Sequence, residues 1–294
     1  REVVEHMHRK GHKYSYMTLL RYLMEHWWVG YPSVDPLLEK HHAEHRLAWA
    51  TAHLGKDHTF TVHIDEKWFY LFVRGGRRRK RPPGRPRPRI RCVHKSHIPK
   101  IMFLIAVGLP NPTKKFNGKI GCYRVCRWKT AERDSKYHKK NDVYEEDCTM
   151  NGDKYFEMMT KQVIPDVWEA YRWAGQNATI RVQHDGASPH TGEDVEQRIF
   201  DWAAENKPAW APIVDIVRQP ARSPDVNVLD LALNHSLASV MQKIEMRAKE
   251  EIAAKLRETW VNYPPEKITK AFAVLQTVFK QIIEHKGYND FDIC

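Results

Sequence analysis

The stretch Thr59-Phe60-Thr61-Val62-His63-Ile64-Asp65, followed by Glu66-Lys67-Trp68, decides how this chain is read. It is short, rich in Thr, Val, Ile and Phe, and carries an acid at its carboxyl end, the pattern of a buried strand. Ile180-Arg181-Val182-Gln183-His184-Asp185 has the same form. A third stretch, Ser223-Pro224-Asp225-Val226-Asn227-Val228-Leu229-Asp230, ends on an aspartate where a helix is expected to open. A lone carboxylate at such places more often caps a turn, pairs with a Lys or Arg, or answers a helix dipole than takes part in catalysis. Three gathered together repel one another and raise one another's pKa. A hard cation removes that cost, because Mg²⁺ takes oxygen ligands and keeps positions open for water and phosphate oxygens. Two such ions, roughly 3.5–4 Å apart, serve the attacking and leaving oxygens of phosphoryl transfer. The expectation is that Asp65, Asp185 and Asp230 converge on one acidic metal site.

Composition agrees with such a site and its partner. The 294 residues suffice for one large domain and a smaller one. Hydrophobic residues are 42%, with 10 Trp, 12 Tyr and 10 Phe, so a packed core can form. The net charge of +12, with 17 His uncounted, favours a polyanionic partner, nucleic acid or a membrane surface. No apolar run is long enough to span a bilayer, and no signal-peptide pattern opens the chain. Five Cys at irregular spacing argue for reduced thiols in an intracellular protein. The chain opens on Arg1 inside a helix-like pattern, so it is expected to be N-terminally incomplete.

Outward from Asp65, Trp68–Val73 reads as a second strand, joined to the first by a short turn as an antiparallel hairpin. Arg74–Arg91 is then strongly basic and proline-rich, which excludes helix and central strand. It holds Arg77, Arg78, Arg79, Lys80, Arg81, Arg85, Arg87 and Arg89. The core Gly84-Arg85-Pro86-Arg87 resembles arginine hooks of the DNA minor groove. A solvated loop and a nuclear localisation signal compete with that reading. Phosphate contact near the acidic site is the reading adopted, and nuclear targeting is compatible with it.

Lys100–Gly108 reads as a central strand buried on both faces. Lys119–Trp128 reads as a strand or hairpin, and Thr130–Asp147 as irregular. Cys122 and Cys126, preceded by Cys92 and His94, fit structural thiols better than a zinc site, since no second close pair exists. Gly152–Ala174 is a long amphipathic helix with a kink expected at Pro165. After Thr179–Asp185 come His190, placed to touch phosphate or Asp185 or simply to pack, and a helix over Glu193–Glu205. Val214–Arg218 is a short strand, and Asp230 opens a helix to about Lys249. Asp225 and Glu66 read as capping or surface groups. Helices over Lys249–Tyr263 and Pro265–Lys286 finish the chain.

Upstream, Arg1–Arg9 and Tyr16–Trp27 read as two helices around Gly11, with Ser15 as a cap. That is a helix-turn-helix pattern, and an ordinary helical hairpin fits it equally. In the first reading Lys13, Tyr16, Thr18 and Arg21 lie where base and phosphate contacts are made. A linker and a His-rich helix, Leu37–Leu54, lead into the sheet.

The element order is α/β and fits a ribonuclease-H-like mixed sheet flanked by helices, preceded by a partial helix-turn-helix segment. The boundaries expected are 1–30 for the DNA-binding segment and 31–57 for the linker and connecting helix. The catalytic domain then spans 58–248, with the basic insertion at 74–99, and 249–294 holds the C-terminal helices.

These motifs resemble the mariner-like DNA transposases, nearest to the plant branch with three aspartates. His63-Ile64-Asp65-Glu66-Lys67-Trp68-Phe69 resembles the first-acid block and Gln183-His184-Asp185-Gly186-Ala187-Ser188-Pro189-His190 the second. Gln219-Pro220 through Asp230 resembles the third, with Ser223, Pro224, Asp225, Asn227 and Asp230 matching. The resemblance implies a cut-and-paste transposase that binds terminal inverted repeats of double-stranded DNA. It implies cutting with two Mg²⁺ or Mn²⁺ ions held by Asp65, Asp185 and Asp230, joining to a TA target, and a homodimer; the nuclear location expected rests on the basic run. The family usually has Asn after the second aspartate, where this chain has Gly186. Asp185 and Asp230 stand 45 positions apart, longer than the common patterns. The alternative is a transposase-derived DNA-binding protein with no chemistry; an RNA-processing ribonuclease lacks any RNA-reading motif.

Overall fold

The computed structural model describes residues 11, 15, 17–18, 21, 36–71, 98–135, 138–187, 194–241, 244, 246 and 249–291. The chain divides into two compact units, Arg1–Pro36 and Leu37–Cys294. In the first, Ser15 Oγ accepts from the Thr18 backbone N–H at 3.1 Å, a helix N-cap bond. Thr18 and Arg21 are exposed. Lys13 and Tyr16 lie outside the described residues.

The second unit opens with α1 (Lys40–His53) and then β1 (Thr61–Tyr70). β1 pairs antiparallel with β2 (Lys100–Gly108) along its length, from Val62↔Gly108 to Tyr70↔Lys100. Just beyond, the Leu71 N–H donates to the Pro99 carbonyl at 2.8 Å. The turn expected after Asp65 does not form. No Gly, Pro or Asn stands between Asp65 and Trp68 to take a turn conformation. Asp65, Glu66 and Lys67 instead face Ile105, Leu104 and Phe103 on β2. The hairpin partner of the first stretch is therefore residues 100–108. Arg77, Arg78, Arg79, Lys80, Arg81, Arg85, Arg87 and Arg89 lie outside the described residues, as do Cys92, His94 and His190.

β3 (Lys119–Arg124) continues the antiparallel side of the sheet. β4 (Cys126–Thr130) and β5 (Val143–Asp147) form a separate two-stranded ribbon. The second of these was expected to be irregular, because Glu145, Glu146 and Asp147 are poor strand formers. Charge pairs hold it: across the ribbon Arg127 to Glu146 at 2.6 Å, and from the end of β3 Arg124 to Glu145 and Asp147 at 2.7 Å each.

The long helix is α2 (Gly152–Met158), a π-turn (Met159–Val163) and α3 (Ile164–Ala170) in succession. Pro165 has no N–H to give to the preceding turn, and the helix widens there. β6 (Thr179–His184), α4 (Val195–Asn206) and β7 (Ile213–Arg218) follow. A π-turn (Leu229–Leu233) leads into α5 (Asn234–Met241). The helix expected to reach Lys249 ends at Met241, closed by a bond from the Ile244 N–H to the Met241 carbonyl. α6 (Glu250–Val261) and α7 (Pro265–Glu284) complete the unit.

Among the described residues the main sheet has the order β3-β2-β1-β6-β7, antiparallel among its first three strands and parallel from β1 to β7. Alternation along β2 divides the core. Ile101, Phe103, Ile105 and Val107 pack with α5, α6, α7 and Ala50 of α1. Leu104 and Ala106, with Val62, Ile64, Ile180, Val182 and Val214, pack with the helices from α2 to α4. The reading of Lys100–Gly108 as buried on both faces holds. No helix among the described residues is long and apolar enough to cross a membrane.

Candidate active site

The register between β1 and β6 brings the first two acids together. Val62 pairs with Val182 and His63 with Gln183, in parallel. Two positions further on each chain stand Asp65 and Asp185, on one face of the sheet and on neighbouring strands spaced roughly 4.8 Å. β6 stops at His184 while β1 continues to Tyr70 beside β2, so Asp185 stands where the chain leaves the parallel side of the sheet. The carboxyl ends of parallel strands are where such sheets bind ligands. The Asp185 carboxylate also accepts from the Ala187 N–H at 3.0 Å, which fixes the chain as it leaves the strand.

The third acid is held by a buried polar lattice. Asn227 donates its side-chain amide to the Ile64 carbonyl at 3.0 Å, and its oxygen accepts from the Leu229 N–H at 3.0 Å. Gln183 donates to the Val226 carbonyl at 2.9 Å and to the Gln219 side-chain oxygen at 3.1 Å. Gln219 in turn donates to the Ser223 carbonyl at 3.2 Å. Gln183, Gln219, Ser223 and Asn227 are all buried. The loop is thereby pinned against β1 immediately before Asp65, and the π-turn that follows presents Asp230 in its first turn. π-turns occur at functional sites more often than elsewhere.

Asp225 is neither a cap nor a surface group, as had been expected. Arg46 of α1, 1% exposed, grips it with two bonds of 2.6 and 2.7 Å, and also donates to the Gly287 carbonyl at 2.8 Å. One residue therefore ties α1 to the third-acid loop and to the end of α7.

The electrostatics identify the acids as one set. Burial, then the charges of Asp230 and Glu66, with a further push from Asp185, hold the Asp65 carboxyl well above the usual range. Asp230 is also raised, burial again being the first cause, although donation from Asn234 and the Lys67 charge work against it. Asn234 lies between the two. Its amide nitrogen donates to Asp65 and, at 3.4 Å, to Asp230. Its oxygen is buried and has no hydrogen-bond partner.

Beside the second acid, His184 is buried between the Tyr155 hydroxyl at 3.2 Å and the Glu196 carboxylate at 3.0 Å. Burial would raise Glu196, but the two-bond grip of Arg218, at 2.8 and 2.6 Å, together with His184 holds it lowered. Gly186 is exposed, and a Cβ there would meet the Arg218 Cδ at 3.5 Å, an ordinary contact.

No protein-family model matches the chain, and no curated protein matches it in sequence. Solved structures match its fold. The Mos1 mariner paired-end complex with Mn aligns at a TM-score of 0.65 with 15% identity, over 99% of this chain and 75% of that one. The Mos1 strand transfer complex gives 0.62 and 16%, over 94% and 71%. The catalytic domain of Mos1 mariner transposase gives 0.59 and 16%, over 88% of this chain and all of that one. The fold is ribonuclease-H-like, as in that catalytic domain.

Cys122, Cys126 and Cys148 are free and half-buried, and burial pushes Cys122 up to about 12. Among the described residues one group has three ligand atoms all within 4.8 Å of one another: Glu39, His41 and His42. It sits at the start of α1, where Glu39 and His42 already form a capping box and Arg222 approaches Glu39 at 3.6 Å. The three aspartates are more spread than that. A shared central acid with one flanking acid on each side does not need its outer members in contact.

Proposed function

We propose that the chain is a DNA transposase of the mariner-like type, with the plant-branch triad Asp65, Asp185 and Asp230. The observation that carries this is the gathering of three aspartates from the middle of β1, the end of β6 and the start of a helix, with Asp65 held well above the usual carboxylate range. A carboxyl so disfavoured as an anion fits a divalent cation, and the donor set is all hard oxygen. The buried, unpartnered Asn234 oxygen beside it fits the same purpose.

Asp65 would be shared between two ions, with Asp185 completing one site and Asp230 the other. When bound, Mg²⁺ or Mn²⁺ supplies activation of the attacking oxygen and neutralisation of charge on the phosphate. The chain's own part is placement. The Asn227–Ile64 bond and the Gln183–Gln219 pair would fix the backbone from which the three acids project. In cutting, water attacks phosphorus and the P–O3′ bond breaks, leaving a 3′ hydroxyl and a 5′ phosphate. In joining, that hydroxyl attacks a target phosphorus and the target's P–O3′ bond breaks.

The substrates in this reading are terminal inverted repeats and a TA target in double-stranded DNA, handled by a homodimer in the nucleus. Lys13, Tyr16, Thr18 and Arg21 would contact the repeat. Arg77, Arg78, Arg79, Lys80, Arg81, Arg85, Arg87 and Arg89 would contact phosphates, so binding should weaken steeply with salt. Mos1 supports the DNA and metal assignments by analogy, having been solved as a paired-end complex with a transposon end and with Mn or Mg.

A second reading, a DNA-binding descendant without chemistry, is favoured by one observation: Gly186 leaves the flank of Asp185 without a side chain. Nicking of supercoiled plasmid with Mg²⁺ or Mn²⁺ separates the two. Metal-dependent nicking by the wild type and none by Asp185→Asn is expected. Salt-sensitive DNA binding with no nicking by either would favour the second reading.

A further inference from the structure

Asn234 belongs to none of the motifs that mark the triad, yet it touches two of its three acids. It is 1% exposed and stands one helical turn after Asp230, on the same face of the helix. Its amide nitrogen offers two N–H groups, and these go to Asp65 and Asp230, which come from positions 169 and 4 residues away. Its oxygen, also buried, receives no donor. Buried side-chain oxygens are almost always satisfied, so one left empty beside an acidic pair calls for an explanation.

We propose that Asn234 is a cation-responsive positioning residue, whose amide nitrogen bridges Asp65 and Asp230 without metal and whose oxygen turns toward the ion when one is bound. This rests on the reading of the triad as a metal site. The two ends of a side-chain amide are nearly the same size, and its terminal torsion is broad and roughly two-fold. Two carboxylates select the nitrogen end, since the oxygen end would meet only repulsion. A divalent cation among the same carboxylates reverses that choice, because an Asn carbonyl is a hard oxygen ligand. The N–H groups then leave the carboxylate lone pairs the ion requires. The amide is thus a neutral stand-in for the cation, limiting repulsion between Asp65 and Asp230 while the site waits for metal.

The test is Mn²⁺ binding to the full 294-residue chain, read by the electron-spin signal of free Mn²⁺. Wild type, Asn234→Leu, Asn234→Asp and Asp65→Asn are compared, with circular dichroism as the folding check. Asn234→Leu should bind Mn²⁺ about 10–100-fold more weakly, the range for residues that support metal ligands. Asn234→Asp should bind at least as tightly as wild type. Equal affinity in wild type and Asn234→Leu overturns the inference and leaves the triad reading standing. Binding that is absent in wild type, or that survives Asp65→Asn, removes both together. Should Asn234→Leu not fold, the side-chain ¹⁵N amide signal of Asn234, identified by its loss in Asn234→Asp, decides. It should move on adding Mg²⁺ to wild type and stay still in Asp65→Asn; an unmoved signal in a wild type that binds Mn²⁺ overturns the inference.

Discussion

Arg46 and Asp225, 179 positions apart, close a two-bond ion pair in which the arginine is 1% exposed. A guanidinium buried this far cannot lose its partner cheaply. Asp225→Ala should destabilise the chain by about 3–5 kcal/mol, because it leaves the charge uncompensated. The double change Arg46→Met with Asp225→Leu should cost much less than the two single changes added. Urea unfolding of the wild type, Asp225→Ala, the two single changes and the double change measures both, and strict additivity would contradict the pairing.

The raised Asp65 carboxyl has a definite sign in a pH profile. Its folded pKa exceeds its unfolded value of about 3.9, so above that pH the folded chain holds more proton than the unfolded chain. Its contribution to stability therefore falls as pH rises through the carboxylate range and beyond. Asp65→Asn should stabilise the metal-free protein at neutral pH, read as a higher melting temperature. No gain at neutral pH would mean that the acid is not under strain.

The buried histidines act in the opposite direction. Burial, with the neighbouring His53 charge next, pushes His58 down to about 4. Burial also pushes His63 down to about 3, its ring standing edge-on to Phe272 at 5.3 Å. An unfolded histidine titrates near 6.5. Stability is intact above that pH and is lost as pH falls toward the folded values, since the unfolded chain takes up protons the core refuses. His58 alone should account for about 3 kcal/mol between pH 6.5 and 4. His58→Phe should flatten this part of the profile in denaturant titrations; an unchanged slope would contradict it.

Gly186 invites repair. Its backbone is outside the left-handed region, and the added Cβ meets only the Arg218 side chain at 3.5 Å. Gly186→Asn should fold with an unchanged melting temperature, within about 0.5 kcal/mol as for other surface sites. If the side-chain amide usual in the mariner-like pattern serves the chemistry, plasmid nicking should rise. A large loss of stability would show that Arg218 cannot give way.

Much of this was legible in the residues and some was not. Lys100–Gly108 announces itself because a strand buried on both faces needs apolar residues at every position. Asp185 was placed correctly since β6 does end beside it. Asp65 was put at a strand end because Asp65-Glu66-Lys67 reads as polar; strand β2 carries it through, with Ile105 opposite Asp65. β5 was missed because its acids are stabilised by Arg127 across the ribbon and by Arg124 at the end of β3, pairings no local pattern reveals. Asp225 was misread since its partner lies on α1. Gln183, Gln219 and Asn227 were quoted as motif letters without a physical role. Their role is to bond one another and the backbone behind Asp65. Asn234 had one available signal, an amide four positions after an acid at a helix start.

The bond from Leu71 to Pro99 closes the β1–β2 pairing at the point where the chain departs toward residues 72–97 and returns. Exit and entry are therefore fastened by the sheet itself, whatever joins them. The entropy of closing such a connection grows only logarithmically with its length, about 0.6 kcal/mol per doubling. The scaffold is in this sense indifferent to the segment it carries. A lineage could lengthen, shorten or exchange that segment without re-solving the pairing of β1 with β2 that places Asp65.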